Sequence, residues 1–502
     1  MATISFKRTA AFVAAFGIAL APATAGIALA QTVTNVPVDL GGIDANASGT
    51  LTVVKKKLAS DETPGEIASG ETMEGTPGTL LPGVTFTVQP VTGVDLSTNA
   101  GWEAASKIAN GSPTDPDLAL GAATSATTNE QGEAKFTDLP VGLYLVTETE
   151  VPEGVVPSGP FFVFLPMTSA ASDATSETTW NYNPIVYPKN TESNVTKEVQ
   201  DADQNVGDSI TYTITSDIPA LAGDTTISKY EVYDDLDEEQ LTTTADQITV
   251  GLTDGTTFVQ GTDYTVAVDP VTQAVSIEFT EQGRIALTDA KKADAAVQVV
   301  TTIEAAVGEI GTTDGVVVNE AKTVTNNGGG GGDTTTPSNE VKTTWGKLIV
   351  NKTNEDGEKL EGATFELYRC SAGGVLEDSN TETPEIDPLT VNGETAWTTD
   401  AEGAITVDGL HVTDIENNDD AIEKNYCLVE TQAPAGYAKL VDPIPFQLTG
   451  EANVTYTADV LNVDDDDFLP STGGMGVGLI IAVGAGLIGA GAYAARRNSQ
   501  TA

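Results

Sequence analysis

The chain has 502 residues, with 73 acidic side chains against 23 basic ones and a formal net charge of −50. A surface of that sign repels nucleic acid and favours solubility. Apolar residues at 40% and charged residues at 19% suit folded domains rather than general disorder, and the length predicts about three such domains.

At the amino terminus Lys7 and Arg8 precede an apolar stretch from Ala10 to Ala21, and Ala28-Leu29-Ala30 supplies the small residues of a cleavage site before Gln31. Residues 1–30 are therefore expected to be a signal peptide, removed on export. Beyond them come alternating apolar and polar runs broken by Gly, Asp, Asn and Pro, such as Ser209 to Thr215, Asp294 to Ile303 and Lys347 to Val350, with few long helical patterns. The expected fold class is all-β: tandem Ig-like β-sandwiches. Composition shifts divide the chain into an N-terminal β domain at 31–189, a middle domain at 190–326, a flexible Asn/Gly/Asp/Thr linker at 327–344 and a C-terminal domain at 345–463.

The first and third domains echo each other. Leu81-Pro82-Gly83-Val84-Thr85-Phe86 resembles Leu360-Glu361-Gly362-Ala363-Thr364-Phe365, and Tyr144-Leu145-Val146-Thr147-Glu148-Thr149 resembles Tyr426-Cys427-Leu428-Val429-Glu430-Thr431. Strand alternation puts Glu430 on the face of Tyr426 and the core residue Leu428, so this acid should point inward. A buried carboxylate needs a partner or a proton. The only cysteines are Cys370 and Cys427; export favours a disulfide between them, two buried thiols being the alternative.

Residues 464–502 close the chain. Leu469-Pro470-Ser471-Thr472-Gly473 is followed by an apolar run from Met475 to Ala495 and by Arg496-Arg497. As a helix that run spans about 30 Å, enough to cross a bilayer, with the arginines held on the cytoplasmic side. Cleavage after Ala30 and Thr472 would remove Lys7, Arg8, Arg496 and Arg497 with no acidic residue, moving the net charge from −50 to −54.

The segment at Leu469 resembles the LPxTG signal cut by sortases of Gram-positive bacteria. Tyr426 to Tyr437 (YCLVETQAPAGY) resembles the E-box of sortase-assembled pilins and their collagen-adhesin B-type domains. Trp180 to Asn190 (WNYNPIVYPKN) resembles their pilin motif, with Pro184 where the family usually has Val. In this order the three resemble a major (backbone) pilin of Gram-positive actinobacteria, of Spa/Fim type. The resemblance implies a covalent, cell-wall-anchored pilus whose sortase attacks the Thr472 carbonyl and passes it to the ε-amine of Lys189 on the next subunit. An ε-amine on an exposed junction, with strand pairing ending at Pro188, suits that role. The implied partners are pilus-specific and housekeeping sortases, identical subunits, tip and base pilins, peptidoglycan and host surface receptors; the implied roles are adhesion and biofilm formation.

The resemblance also implies internal Lys–Asn crosslinks, each promoted by an acid. In the third domain the set is Lys352, Asn462 and Glu430. In the middle domain, similar to the A-type domain of the same pilins, it is Lys197, Asp234 and Asn319, with Asp235 beside Asp234 and Asn326 competing with Asn319. The first domain offers Glu148 and the cluster Lys55, Lys56 and Lys57 but no convincing Asn, so no bond is predicted there.

A monomeric LPxTG-anchored adhesin binding a host protein or glycan explains the export signal and the β domains equally well, but not the motif from Trp180 to Lys189. A conventional enzyme is not expected. His411 is the only histidine, no nucleophile elbow accompanies it, no His/Cys cluster suits zinc, and Gly328 to Gly332 lacks a P-loop lysine. No cofactor is implied, and Asp464 to Asp467 is read as a solvated spacer rather than a calcium site.

Overall fold

The computed structural model describes residues 43–464 except 60–61, 63–68, 169–178, 222–224, 378–385, 415–421, 424 and 451, together with the backbone of two short strands, Gly17–Ile18 and Gln31–Thr32. The sorting residues Leu469, Pro470, Ser471, Thr472 and Gly473 and the expected span Met475–Ala495 lie outside the described residues. Among the described residues no helix is long and apolar enough to cross a membrane.

Alternation decides the first part of the chain. Ser48–Val54 turns Leu51 and Val53 inward and pairs antiparallel with Glu133–Pro140 and parallel with Ile185–Val186. Across the core lies a four-stranded sheet ordered Phe161–Leu165, Gly142–Glu150, Thr85–Pro90, Thr124–Thr127. The helix Asn99–Ala109 starts where the Thr98 side chain accepts from the Gly101 amide, which satisfies an otherwise unpaired donor. Its Trp102 ring stacks on Phe164 at 5.2 Å. A further sheet runs Val155–Val156, Lys189–Glu192, Lys56–Leu58, Thr79–Leu80, so the last strand of this part lies parallel to one of its first.

The middle part is a sandwich of two five-stranded sheets. Ser209–Asp217 buries Ile210, Tyr212 and Ile214 on one face, as its period-two pattern requires. Opposite lie Tyr264–Val268, Ala274–Phe279, Lys229–Asp235, Ala321–Asn326 and Thr334–Pro337. That fifth strand falls within the segment expected to be a flexible linker. Thr334–Pro337 pairs antiparallel with Ala321–Asn326 and buries Thr334 and Thr336. The β-branched threonines are strand formers, and the glycines before them form the loop that lets the chain double back.

The third part opens on a sheet of its own. Val341–Thr353 is one strand of 13 residues; its start pairs with Val316–Asn319, its end with Ala404–His411 and, in parallel, with Thr455–Leu461. The opposing sheet is Ala396–Thr398, Thr364–Arg369, Asn425–Gln432, Ile444–Gln447. Cys370 and Cys427 form a disulfide with Cα atoms 5.8 Å apart. The middle and third parts share one hydrophobic core. The segment Asp201–Gly207 is plugged into the third part: the Val206 amide donates to the Gly409 carbonyl, Arg369 lies 2.6 Å from Asp203 and over the Tyr426 ring, and the Trp345 indole donates to the Gln204 carbonyl. His411, fully buried, sits 3.1 Å from Asp201.

Candidate crosslinking sites and the acceptor lysine

In the third part the parallel pairing sets Lys352 opposite Val460, two residues before Asn462. The neighbouring sheet sets Glu430 opposite Phe365, beside a register shift between Thr364 and Phe365. These strands bring Lys352, Glu430 and Asn462 together in the interior, at 0%, 2% and 0% exposure. Lys352 Nζ lies 3.6 Å from Glu430 Oε1. Asn462 Nδ2 donates to Glu430 Oε2 at 3.1 Å and to the Ala438 carbonyl at 2.7 Å. Its Oδ1 has no hydrogen-bond partner among the described residues. Burial pulls the Lys352 amine down to about 8, against the opposing pull of Glu430, so a neutral amine, the nucleophilic form, is readily available.

In the middle part Lys197 forms an ion pair with Asp234, both side chains fully buried, and Lys197 Nζ stands 4.6 Å over the Tyr212 ring. Burial pushes the lysine down and the acid up. Asn319 is buried and lies beside Asp234 and Tyr212. Neither competitor joins them. Asp235 is exposed, and Asn326 is paired with Lys229 across the sheet while its side chain donates to Asp333.

The first part holds a third set, which the sequence reading missed. Lys55 and Asn190 are fully buried and the Glu148 side chain is 1% exposed. Lys55 Nζ donates to Glu148 Oε1, and Asn190 Nδ2 donates to Glu148 Oε2 at 3.0 Å. The construction repeats the third part. Glu148 faces Phe86 next to a register shift between Thr85 and Phe86, and the lysines stand over equivalent rings, 5.6 Å from Phe86 and 5.9 Å from Phe365. The Lys55 and Lys352 amides donate to Gly132 and Gly403 respectively, each at 2.7 Å. Burial likewise pulls the Lys55 amine down to about 8, with Glu148 opposing. Asn190 adjoins Lys189 and escaped attention because a boundary was drawn between them. The internal repeat was the signal, since it aligns Lys55 with Lys352 and asks for an Asn on the closing strand.

Lys189 is not on an exposed junction. Its strand is interior to a four-stranded sheet, bonded to Lys56–Leu58 on one side and Val155–Val156 on the other, and pairing resumes after Pro188 instead of ending there. The residue is 7% exposed. Its Nζ donates to the Tyr187 carbonyl at 3.3 Å, and burial, reinforced by nearby Lys56, lowers its basicity. The Tyr187 hydroxyl accepts from the Met73 amide, and Gly70 bridges to Ile185, so the segment from Gly70 to Met73 is strapped across the Trp180–Lys189 motif.

Residues 47–191 match the family model described as Gram-positive pilin subunit D1, N-terminal domain, and residues 346–463 match that of the SpaA prealbumin-like fold domain. The chain is 34% identical to the fimbrial subunit type 1 of Actinomyces viscosus, over 96% of this chain and 97% of that one. It is 32% identical to the fimbrial subunit type 2 of Actinomyces naeslundii, over 89% of each. Among solved structures, the full-length major pilin SpaD of Corynebacterium diphtheriae superposes with a TM-score of 0.64 at 33% identity, covering 84% of this chain and 99% of that one. The major pilin SpaA of the same organism, described as pointing to a modular pilus assembly with stabilizing isopeptide bonds, superposes with a TM-score of 0.58 at 26% identity, covering 83% of this chain and 100% of that one. The all-β architecture, the relatives along nearly the whole length and the superposition on pilus shaft subunits carry one conclusion: the chain belongs to the sortase-type major pilins of Gram-positive bacteria, the repeating structural subunits of fimbriae.

Proposed function

We propose that this fimbrial subunit is polymerised covalently and anchored to the cell wall, with the Thr472 carbonyl of one subunit joined by a sortase to Lys189 Nζ of the next. The sortase thiolate forms a thioester at Thr472 and releases Gly473 onward; Lys189 resolves it as an amide. The lowered basicity of Lys189 supports its choice as acceptor, because more of it is neutral at physiological pH. The same reading gives each folded part its own internal Lys–Asn bond: Lys55–Asn190 with Glu148, Lys197–Asn319 with Asp234, and Lys352–Asn462 with Glu430. Neutral lysine attacks the amide carbon, the acid moves the proton, and ammonia leaves.

The observation that carries the proposal is the repeated burial of a lysine, an acid and an asparagine in an apolar interior, the costliest arrangement for unlinked charges. In the first and third parts the lysine and asparagine come from opening and closing strands that run side by side in parallel. A bond between such strands routes a pulling force past the core, which a single-file fibre requires. The test is the wall-released material of a strain carrying Lys189→Ala. Wild-type cells should give an SDS-resistant ladder and the variant only monomers; a ladder that survives the substitution rejects Lys189 as acceptor.

A further inference from the structure

The set in the first part has a fourth member, Ser158, which touches all three of its partners. Ser158 is 1% exposed. Its backbone amide donates to Asn190 Oδ1 at 2.6 Å. Its hydroxyl accepts from Lys55 Nζ at 3.0 Å and donates to Glu148 Oε1. These partners fix the orientation of the carboxamide: a backbone N–H requires an acceptor, so Oδ1 faces Ser158, and the carboxylate requires a donor, so Nδ2 faces Glu148. In the third part the equivalent oxygen, Asn462 Oδ1, has no donor among the described residues.

Building on the Lys55–Asn190 crosslink proposed above, we propose that Ser158 is a catalytic residue of that reaction, its amide stabilising the oxyanion on Asn190 and its hydroxyl relaying a proton from Lys55 to Glu148. When neutral Lys55 Nζ attacks Asn190 Cγ, the carbonyl electron pair moves onto Oδ1, where an N–H at 2.6 Å is already aimed. The new C–N bond leaves a surplus proton on Nζ. The Ser158 hydroxyl accepts it while passing its own to Glu148, and Glu148 delivers one to Nδ2. The C–Nδ2 bond breaks, ammonia departs, and the pair on Oδ1 restores the carbonyl of the new amide.

Ser158 is held in place from outside its own part of the chain. A Cβ on Gly159 would lie 1.9 Å from the Gly329 carbonyl oxygen, and one on Gly331 would lie 2.8 Å from the Pro157 carbonyl oxygen. The glycine run of the middle part thus seats the segment Pro157–Pro160 against the reacting groups.

The test is a time course of ammonia loss at each of the three sites in the full chain, read by peptide mapping after synthesis. Ser158→Ala keeps the amide and should slow the Lys55–Asn190 bond by about tenfold or more, while the Lys197–Asn319 and Lys352–Asn462 bonds form at their normal rates and report a folded chain. Ser158→Thr keeps a hydroxyl and should restore the rate. Gly159→Ala leaves Ser158 in the chain but displaces its segment, amide included, and should slow the same bond alone. A wild-type rate in Ser158→Ala, or a Ser158→Thr variant as slow as Ser158→Ala, overturns the relay; a wild-type rate in Gly159→Ala overturns the oxyanion role. A wild-type chain that never loses ammonia at Asn190 overturns the crosslink itself and is thereby told apart from the failure of Ser158.

Discussion

Glu430→Gln removes the proposed proton carrier of the third part while keeping the side chain's size and one oxygen to accept from the Leu440 amide, which donates to Glu430 Oε2 at 2.7 Å. If Glu430 promotes the bond, the variant keeps its ammonia and, after correction for the substitution itself, is about 17 Da heavier at this site than a wild-type chain in which Lys352 has displaced it. The stability change follows from the loop. Lys352 and Asn462 enclose about 110 residues, but the Cys370–Cys427 bridge, with a separation of 57, shortens the free path to about 55. The chain-entropy estimate for that length is about 4 kcal/mol. The middle and third parts share one core, and for a melting unit of about 270 residues this lowers the melting temperature by about 7 °C. Intact mass and calorimetry on the same preparation decide the matter. A Glu430→Gln chain that still loses ammonia between Lys352 and Asn462 refutes the role of the acid. One that keeps its ammonia and yet melts with the wild type refutes the stabilisation expected of the link.

The remaining expectations concern the same interior. Asn462→Ala leaves Lys352 titratable, with its pKa pulled down by burial to about 8 against an ordinary value of 10.5. The folded state then binds the proton less tightly than the unfolded one, so the cost is full below about 8 and is relieved as pH rises toward 10.5. The variant should gain about 1.4 kcal/mol per pH unit across that window relative to the wild type, in which the proposed crosslink would make Lys352 an amide; parallel pH profiles of the melting temperature check it, and profiles of equal slope contradict it. At the joint between the middle and third parts, a Cβ on Gly409 would lie 2.0 Å from Val206 Cγ2, at a backbone φ of +99° that disfavours any side chain. Gly409→Val should therefore unseat the Asp201–Gly207 plug, and limited proteolysis should cut there in the variant and spare the wild type.

Much of this was legible in residue order because the pattern had a physical cause. The Thr-Phe and Tyr-to-Thr echoes of the first and third parts mark paired strands that set Glu148 opposite Phe86 and Glu430 opposite Phe365, the rings over which Lys55 and Lys352 stand. Alternation alone separated Asp234 from Asp235, and the structure buries the one and exposes the other. What escaped were properties of tertiary neighbours. Asn190 was passed over because a boundary was placed beside it, whereas the chain keeps pairing through Thr191 with Lys56–Leu58. Pro188 suggests a sheet end and so an exposed Lys189; parallel pairing on one side and antiparallel on the other bury it. The glycine run reads as a linker by composition, yet the Gly329 backbone fits against Gly159 because Gly159 carries no side chain. Ser158 bears no local signal at all, since its partners Lys55, Glu148 and Asn190 arrive from distant segments of the chain.

Neighbouring subunits are proposed to share a covalent junction, and mass spectrometry of proteolysed, detergent-resistant polymer reads that junction atom by atom. The account predicts a branched peptide in which the carboxyl of Thr472 is bonded to Lys189 Nζ. A junction at another lysine, such as Lys56, would contradict the choice of acceptor, and wild-type wall material that yields single subunits alone would contradict covalent polymerisation.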